Sequence, residues 1–542
     1  MKNKIVGILI FTMLITTAIP VVAIIENDNQ TICETSDNYD NSIQKVTSSN
    51  CNPGDWLEQI KLFALDGVER DLFGTSVSID GEYALIGAYG YDSWRGSAYV
   101  FKRSGTSWTQ EAKLLASDGT DGDEFGRSVY ISGDYAIIGA INDDVNGITS
   151  SGSAYIFKRI GTTWSQEAKI FASDGTEWDL FGISVSIDGD YAIVGASFDD
   201  ENGYLSGSAY IFKRSGTTWS QETKLLATDG EAEDRFGVSV SISGDYVFVG
   251  ASRGNNNNNI DSGTVYVYKH SGTTWLLETK LLASDGDSLD KFGASVSIDG
   301  DYLITGAPGD DDNGNHSGSA YIFKCDDASW TEKTKLLASD GAEEDWFGYS
   351  VSIYDNYAIV GALYDDTQKG SAYVFKRSGT TWSQDAKLLA SDGEAEDSFG
   401  CSVSISGDYA IVGALFGDNN VVESGAAYVF NKPRTNLKIG SVDGQFKIQA
   451  YICNYGPVDA ENVKWSIKID GGIMLFPSGG VVEGSIGIIE ADPTKPGMIS
   501  TFVLGFGGFL SPLNIVVSAE ADNADPVEKT LPAKILLFMI LW

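Results

Sequence analysis

The chain has 542 residues and carries 37 Lys and Arg against 75 Asp and Glu, a formal net charge of −38. That balance excludes the basic face that nucleic acid requires and disfavours anionic membrane surfaces. It leaves solubility, or the capture of cations, as what the acid is for.

The N-terminus sets Lys2 and Lys4 before an apolar run from Ile5 to about Ile25, with Val21 and Ala23 at the −3 and −1 spacing of a cleavage site. Residues 1–25 are therefore expected to be a secretory signal peptide, or an N-terminal anchor if uncleaved. Either way the bulk of the protein is expected to be extracellular, secreted or attached to the cell surface. Residues 26–54 are rich in Asn, Asp, Ser and Thr and predict a polar linker. Cys33 and Cys51 flank it, and an oxidising compartment permits them to close a loop. Cys325, Cys401 and Cys453 have no evident partner, and none of the five cysteines has metal-ligand spacing. Asn29-Gln30-Thr31 and Asn315-His316-Ser317 match the glycosylation sequon.

From Trp56 the chain repeats itself. The Phe of an F-G-x-S-V motif falls at Phe73, Phe125, Phe181, Phe236, Phe292, Phe347 and Phe399, with steps of 52, 56, 55, 56, 55 and 52 residues. Each unit predicts four strands: S-V-S-I, a tight turn such as Asp80-Gly81, then Y-A-I-V-G-A, S-A-Y-V-F-K and a more polar strand led by Trp. Four-stranded antiparallel units at this period predict propeller blades, seven of them. The Trp-led strands stand at Trp56, Trp108, Trp164, Trp219, Trp275, Trp330 and Trp382, so the first precedes the first Phe-Gly and the last unit lacks one. The strand at Trp56 to Leu62 is thus expected to complete the blade begun at Phe399 and close the ring.

The repeat changes length in one place. Between Gly-Ala and the Gly that precedes the third strand the first six units hold 7, 11, 10, 11, 10 and 7 residues. That connection, from strand two to strand three, emerges on the same rim as the connection between blades, so one face collects all the variable loops. Only Pro308 lies between Gly54 and Lys432, whereas eight prolines lie from Pro433 onward. The shift divides a propeller at 55–433 from residues 434–542. There the stretches Phe446 to Cys453, Val463 to Ile469, Thr501 to Leu504 and Asn514 to Ala519 predict a small β-sandwich. The apolar end from Ile535 is too short to span a membrane.

The F-G and G-A pattern, with a literal Gly306-Ala307-Pro308 in the fifth unit, resembles the FG-GAP repeat of integrin α-subunit propellers. It looks closest to the bacterial and archaeal branch with S-D-G-x-x-x-D-x-F-G and G-D-Y-A-I-V-G-A. The resemblance implies an all-β, seven-bladed β-propeller on a secreted or surface protein, engaged in adhesion or ligand recognition. Ala460-Glu461-Asn462-Val463 and Gly505-Phe506-Gly507 are similar to Ig-like modules, which implies an Ig-like sandwich after the propeller. Integrin-type blades often hold calcium in a D-x-D-x-D-G loop between strands one and two. Here that segment is cut to Ile187-Asp188-Gly189-Asp190-Tyr191, so those sites are not carried over.

Acid gathers instead in the strand two–three inserts. Asp143, Asp144 and Asn146, Asp199, Asp200 and Asn202, and Asp310, Asp311, Asp312 and Asn313 are candidate ligands for Ca2+, since hard cations take clustered oxygens beside a Gly. The competing reading makes them solvated turns, and the recurring Asp of S-D-G (Asp118, Asp174, Asp229, Asp285, Asp340, Asp392) a turn-former. Fourteen Tyr at two fixed strand positions are expected to pack blade on blade. Tyr89, Tyr91, Trp94, Trp178, Phe198, Tyr204, Trp346 and Tyr364 fall outside the pattern, on the loop rim, where aromatics contact glycans or proteins. Lys102-Arg103, Lys158-Arg159, Lys213-Arg214 and Lys376-Arg377 fall on the tight-turn rim with Asp188 and Asp190 for partners. The two histidines, His270 and His316, form no credible triad, and no enzyme is expected. The expected function is binding or adhesion to a protein or glycan ligand through the loop rim. The alternatives are a structural envelope or matrix component and, more distantly, a glycan-directed hydrolase.

Overall fold

A computed structural model describes residues 21–25, 56–255, 260–326, 329–418 and 423–432, and the strands lying between 437 and 537. The chain divides into two compact units, Trp56–Asn431 and Met1–Asp55 with Lys432–Trp542.

Trp56–Asn431 is a ring of seven four-stranded antiparallel sheets. In the third, Ser184–Asp188, Tyr191–Ala196, Ser208–Ser215 and Thr218–Leu225 pair in sequence order. Gly189 makes the first turn at φ +58°, a left-handed conformation that favours Gly. The second strand, YAIVGA, is buried from Ala192 to Ala196 because neighbouring blades cover both of its faces. Its Gly195 has a specific reason: a Cβ there would lie 1.9 Å from the carbonyl oxygen of Gly237 in the next blade. Gly-Ala of one blade and Phe-Gly of the next are thus one packing unit.

The seventh sheet draws on both ends of the ring. Leu57–Leu62 pairs antiparallel with Ala426–Asn431, with Leu57 opposite Asn431 and Leu62 opposite Ala427. The fourteen tyrosines explain how the blades interlock. The Tyr that opens each second strand meets the outer-strand Trp of the following blade edge-on: Tyr83 on Trp164, Tyr246 on Trp330, and across the closure Tyr357 on Trp56 at 5.7 Å and Tyr409 on Trp108 at 6.2 Å. The other seven, such as Tyr210, are fully buried against the Phe of Phe-Gly.

The inner strands line a central channel, and their serines tie one blade to the next. Val129 and Ile131 N–H donate to Ser76 and Ser78 Oγ at 3.0 and 3.1 Å. Across the closure Val77 and Ile79 N–H donate to Ser402 and Ser404 Oγ at 2.9 and 3.1 Å. These bonds satisfy the inner edge of every such pair of sheets without a further strand. Blade two breaks the series with Tyr130, which stands in the channel beside Ser186; burial, with Asp188 and Asp80 nearby, pushes its hydroxyl up to about 12. Below it, at the tight-turn end, a cavity of about 190 Å³ is lined by Tyr130, Asp80, Asp188, Asp299 and Tyr354.

In the second unit a five-stranded sheet runs Val21–Ile25, Ala524–Leu537, Pro512–Ala521, Ala460–Asp470, Val481–Ile489. Leu437–Gly444, Lys447–Asn454 and Gly497–Phe502 form a second sheet, and Ile473–Phe476 pairs with Leu504–Phe506. Val21–Ile25, read as the end of a signal or anchor, pairs with Ala533–Leu537. The final strand begins at Ala524, well before the apolar tail. Residues 1–20 and 26–54, with Cys33 and Cys51, lie outside the described residues, as do 538–542. Among the described residues no helix is long and apolar enough to cross a membrane.

Candidate functional site: the loop face and the channel mouth

Every blade places a Lys from its outer strand under the loop rim. Lys61, Lys113, Lys169, Lys224, Lys280, Lys335 and Lys387 bind the Asp of a D-G turn, S-D-G in five blades, and a Tyr hydroxyl donates to that Asp in nearly every case. Partial burial opposes ionisation of Asp118, but the Lys169 ammonium at 2.7 Å and the Tyr155 hydroxyl at 2.9 Å hold its carboxyl below the ordinary value. In four blades the same Lys takes an Asp from the insert as well.

The ten candidate calcium ligands divide accordingly. Asp143 accepts from Ser153 Oγ at 2.5 Å and Tyr155 Oη at 3.0 Å and pairs with Lys169 at 2.7 Å. Asp199 accepts from Tyr210 Oη and lies 3.0 Å from Lys224, which also contacts Glu201. Lys335 gathers Asp285, Asp310 and Asp312 at 2.9, 2.7 and 2.7 Å. Asp144 and Asp200 accept the backbone N–H of Ser150 and Leu205, closing their own turns. Asn202 Nδ2 donates to the Ala227 carbonyl, Asn313 N–H donates to Ser317 Oγ, and Asn146 is an exposed left-handed turn residue. The Asp311 carbonyl accepts the Gly314 N–H. The carboxylates that converge do so on an ammonium. Among the described residues no group of three or more His, Cys, Asp or Glu is arranged to hold a metal ion.

A second acidic series, the Asp of D-x-F-G, was given no role by the sequence. The Asp two residues before each Phe-Gly (Asp71, Asp123, Asp179, Asp234, Asp290, Asp345, Asp397) is buried and accepts the N–H three residues upstream, 2.8 Å from Glu231 in the case of Asp234. Burial pushes Asp234 and Asp290 up to about 6. Since the folded value is raised, the native state keeps a proton that the unfolded chain releases, and stability falls as pH rises through roughly 4 to 6. Asp234 Oδ1 also has no hydrogen-bond partner. Asp234→Asn is therefore expected to gain about 1 kcal/mol at pH 7 and nothing at pH 4. Urea midpoints at the two pH values test this; equal shifts at both would contradict it.

The repeats stop repeating at the loop end of the channel. The residue before each Phe-Gly is left-handed: Leu72, Glu124, Leu180, Arg235, Lys291, Trp346 and Ser398, with φ between 54° and 60°. Non-Gly residues seldom accept that conformation, and its recurrence in all seven blades makes it part of the repeat frame. The residue after Phe-Gly varies as freely: Thr75, Arg127, Ile183, Val238, Ala294, Tyr349 and Cys401. Trp346 packs edge-on to Tyr364 at 5.4 Å, with Tyr349 at 6.4 Å and His316 at 5.7 Å. Lys291 Nζ stands 4.8 Å over Trp346, Arg235 lies 5.0 Å over Phe198, and Arg127 lies 4.9 Å over Tyr89. Burial first, and Arg253 second, lowers the pKa of both Arg235 and Lys291, so the three cations share one neighbourhood. Tyr349 is 42% exposed, yet the channel walls take solvent from its hydroxyl and raise its pKa, with Arg127 opposing and Cys401, Tyr364 and Tyr89 near. Residues of blades one, two, six and seven thus meet across the axis. Burial pushes the Cys401 thiol up to about 12.

Of the rim aromatics expected from the sequence, Tyr89, Phe198, Trp346 and Tyr364 border this mouth. Trp94 packs on Tyr89 at 5.5 Å, Tyr91 lies under Lys113, and Trp178 and Tyr204 are exposed on the loop face. Arg127, Arg235, Lys291 and Tyr349 were missed, although their variation at fixed repeat positions was a visible signal. On the opposite rim Arg159 binds Asp134 at 2.5 Å and Arg214 binds Asp190. Asp188, expected to meet a base, accepts the Gly244 N–H at 2.8 Å instead. Arg103 stacks 4.3 Å over Tyr409, and His270 packs 4.8 Å from Trp275. Cys325 and Cys401 are free thiols.

A closed ring of seven four-stranded blades with short turns on one face and long loops on the other defines a β-propeller. The FG-GAP repeat profile matches it at residues 56–101, 108–157, 164–212, 219–268, 275–323, 330–375 and 382–430, and the chain belongs to the FG-GAP repeat family. Each match begins with an outer strand and runs into the next blade, so the family's repeat is offset by one strand from the blade in space. This propeller is typically a non-enzymatic binding fold, typical of extracellular proteins and compatible with ligand binding or adhesion. No curated protein matches the chain.

Proposed function

We propose that the protein is secreted or held at the cell surface and recognises a protein or glycan ligand through the loop face, with the channel mouth as its centre. One observation carries the reading. The frame of seven units is nearly constant, while the residues on either side of Phe-Gly vary without restraint and converge on that mouth. The left-handed turn itself is common to all seven blades and belongs to the frame; what differs is the side chain it presents, Arg235, Lys291 and Trp346 among them. The second unit, with its antiparallel five-stranded and three-stranded sheets, is read as the Ig-like sandwich that spaces or anchors the propeller. Residues 1–25 are read as the export signal or anchor.

The test is a combined glycan and protein array probed with the full-length chain. Specific hits are expected, falling at least tenfold for a Trp346→Ala, Tyr349→Ala double variant with unchanged melting temperature. Hits untouched by that variant would move binding off the mouth. An array without hits would favour an envelope component with no discrete ligand.

A further inference from the structure

The acidity of this chain makes its unpaired cations informative. Under the loop rim each of the seven outer-strand lysines meets a carboxylate, the longest of those contacts being 2.9 Å. At the mouth the pattern reverses. Arg127, Arg235, Arg253 and Lys291 form no ion pair among the described residues, and Asp261, the acid that acts on both Arg235 and Lys291, does so only from a distance. Arg127, Arg235 and Lys291 rest on aromatic rings instead, and Arg235 Nε is buried without a partner. Stacking fixes a guanidinium by its face and leaves its N–H edge directed at whatever enters. Such an edge matches a carboxylate or sulfate with two parallel hydrogen bonds.

The surroundings narrow the ligand. Beside Lys291 stand Trp346, Tyr349 and Tyr364, whose rings offer flat apolar area next to the cations. A pyranose has such a face on its C–H side and hydrogen-bonding groups at its edge. An acidic peptide brings carboxylates on flexible stems and nothing rigid to cover the rings. Behind the mouth Tyr130 stands in the channel beside Ser186. The outer rim carries Asp144, Asp200 and Asp311 and repels a densely charged polymer. A single anionic group at a chain end avoids that repulsion.

We infer that the channel mouth binds the terminal residue of an acidic saccharide, its anionic group held by Arg235, Arg253 and Lys291 and its ring placed against Trp346 and Tyr349. This rests on the loop-face reading above and supplies the ligand class for it.

The experiment titrates the full chain by calorimetry with four probes: a uronate-terminated oligosaccharide, the same oligosaccharide with its carboxyl reduced to an alcohol, a sulfate-terminated analogue, and an Asp/Glu-rich peptide. The acidic sugars are expected to bind at least tenfold more tightly than the reduced one and the peptide, and the carboxylate and sulfate arms identify the anion preferred. Arg235→Gln and Lys291→Gln should each remove most of that preference while leaving weak binding of the reduced sugar. Trp346→Ala should weaken every sugar alike, and Arg103→Gln on the far rim should change nothing. Equal binding of acidic and reduced sugars, or tighter binding of the peptide, overturns the inference and leaves the loop-face reading standing. Binding of no probe, with array hits that still depend on Trp346, does the same. Binding of no probe together with an empty array overturns both.

Discussion

A chain lacking residues 1–62 is expected to lose the propeller as a cooperative monomer. Those residues supply the outer strand of the seventh blade, and their removal bares the edge Ala426–Asn431 along five paired positions. Leu62, 3% exposed, leaves the core shared by blades seven and one, and Trp56, 7% exposed, leaves Tyr357 and the Asp385 carboxylate that its indole N–H bonds at 3.0 Å. Lys61, which holds Asp392 at 2.9 Å, goes with them. Losing a buried Trp alone costs about 3–5 kcal/mol, so Trp56→Ala is expected to lower stability by about 3 kcal/mol within an intact ring. The truncation removes far more than a marginal fold can spare, and the exposed edge recruits other chains. Sedimentation and urea unfolding separate these cases. A truncated protein that stays monomeric with an unchanged midpoint would show that the ring closes some other way.

Lys335→Met is expected to be the most damaging single change on the loop face. It leaves Asp285, Asp310 and Asp312 facing one another where an ammonium lay within 2.9 Å of all three. Asp310 is 3% exposed and has little water to compensate. Removing one partner of a buried pair costs about 3–5 kcal/mol; the exposure of Asp285 and Asp312 argues for about 3 kcal/mol at pH 7. Burial opposes the charge of Asp285, but Lys335 and the Tyr321 hydroxyl hold its folded pKa below 3.8. Its contribution is therefore complete above the unfolded value and is lost as pH falls below about 4, so wild type and variant should converge there. Calcium supplies a sharper readout. Millimolar Ca2+ should recover part of the loss in the variant, whose carboxylates then lack a cation, and should leave wild-type melting unchanged. A wild type stabilised by calcium would show that the inserts hold metal despite their lysines.

The seven lysines also show where sequence reading stops. DDENG and DDDNG inserts fit a turn and a cation loop equally well, because both use carboxylates beside a Gly. What separates them is Lys224 and Lys335, which follow those inserts by more than twenty residues and reach them only because the outer strand returns along the same blade. The Asp234 series, the second Asp of S-D-G-x-x-x-D-x-F-G, was left without a role for a related reason: the motif does not say which of its two aspartates will be buried.

The repeat alone was enough to determine the blade, the number seven, the strand borrowed from Trp56 and the rim that collects the long loops. Each of these follows from a period and a count, since a four-stranded unit with covered faces has few ways to pack except around a ring. Only the tertiary structure decided the charge pattern of the loop face. Arg127, Arg235, Lys291 and Trp346 lie in four different repeats and form no local motif. Closing the ring carries the loop ends of the inner strands to one axis, and their differing side chains become a single mouth that no stretch of sequence contains.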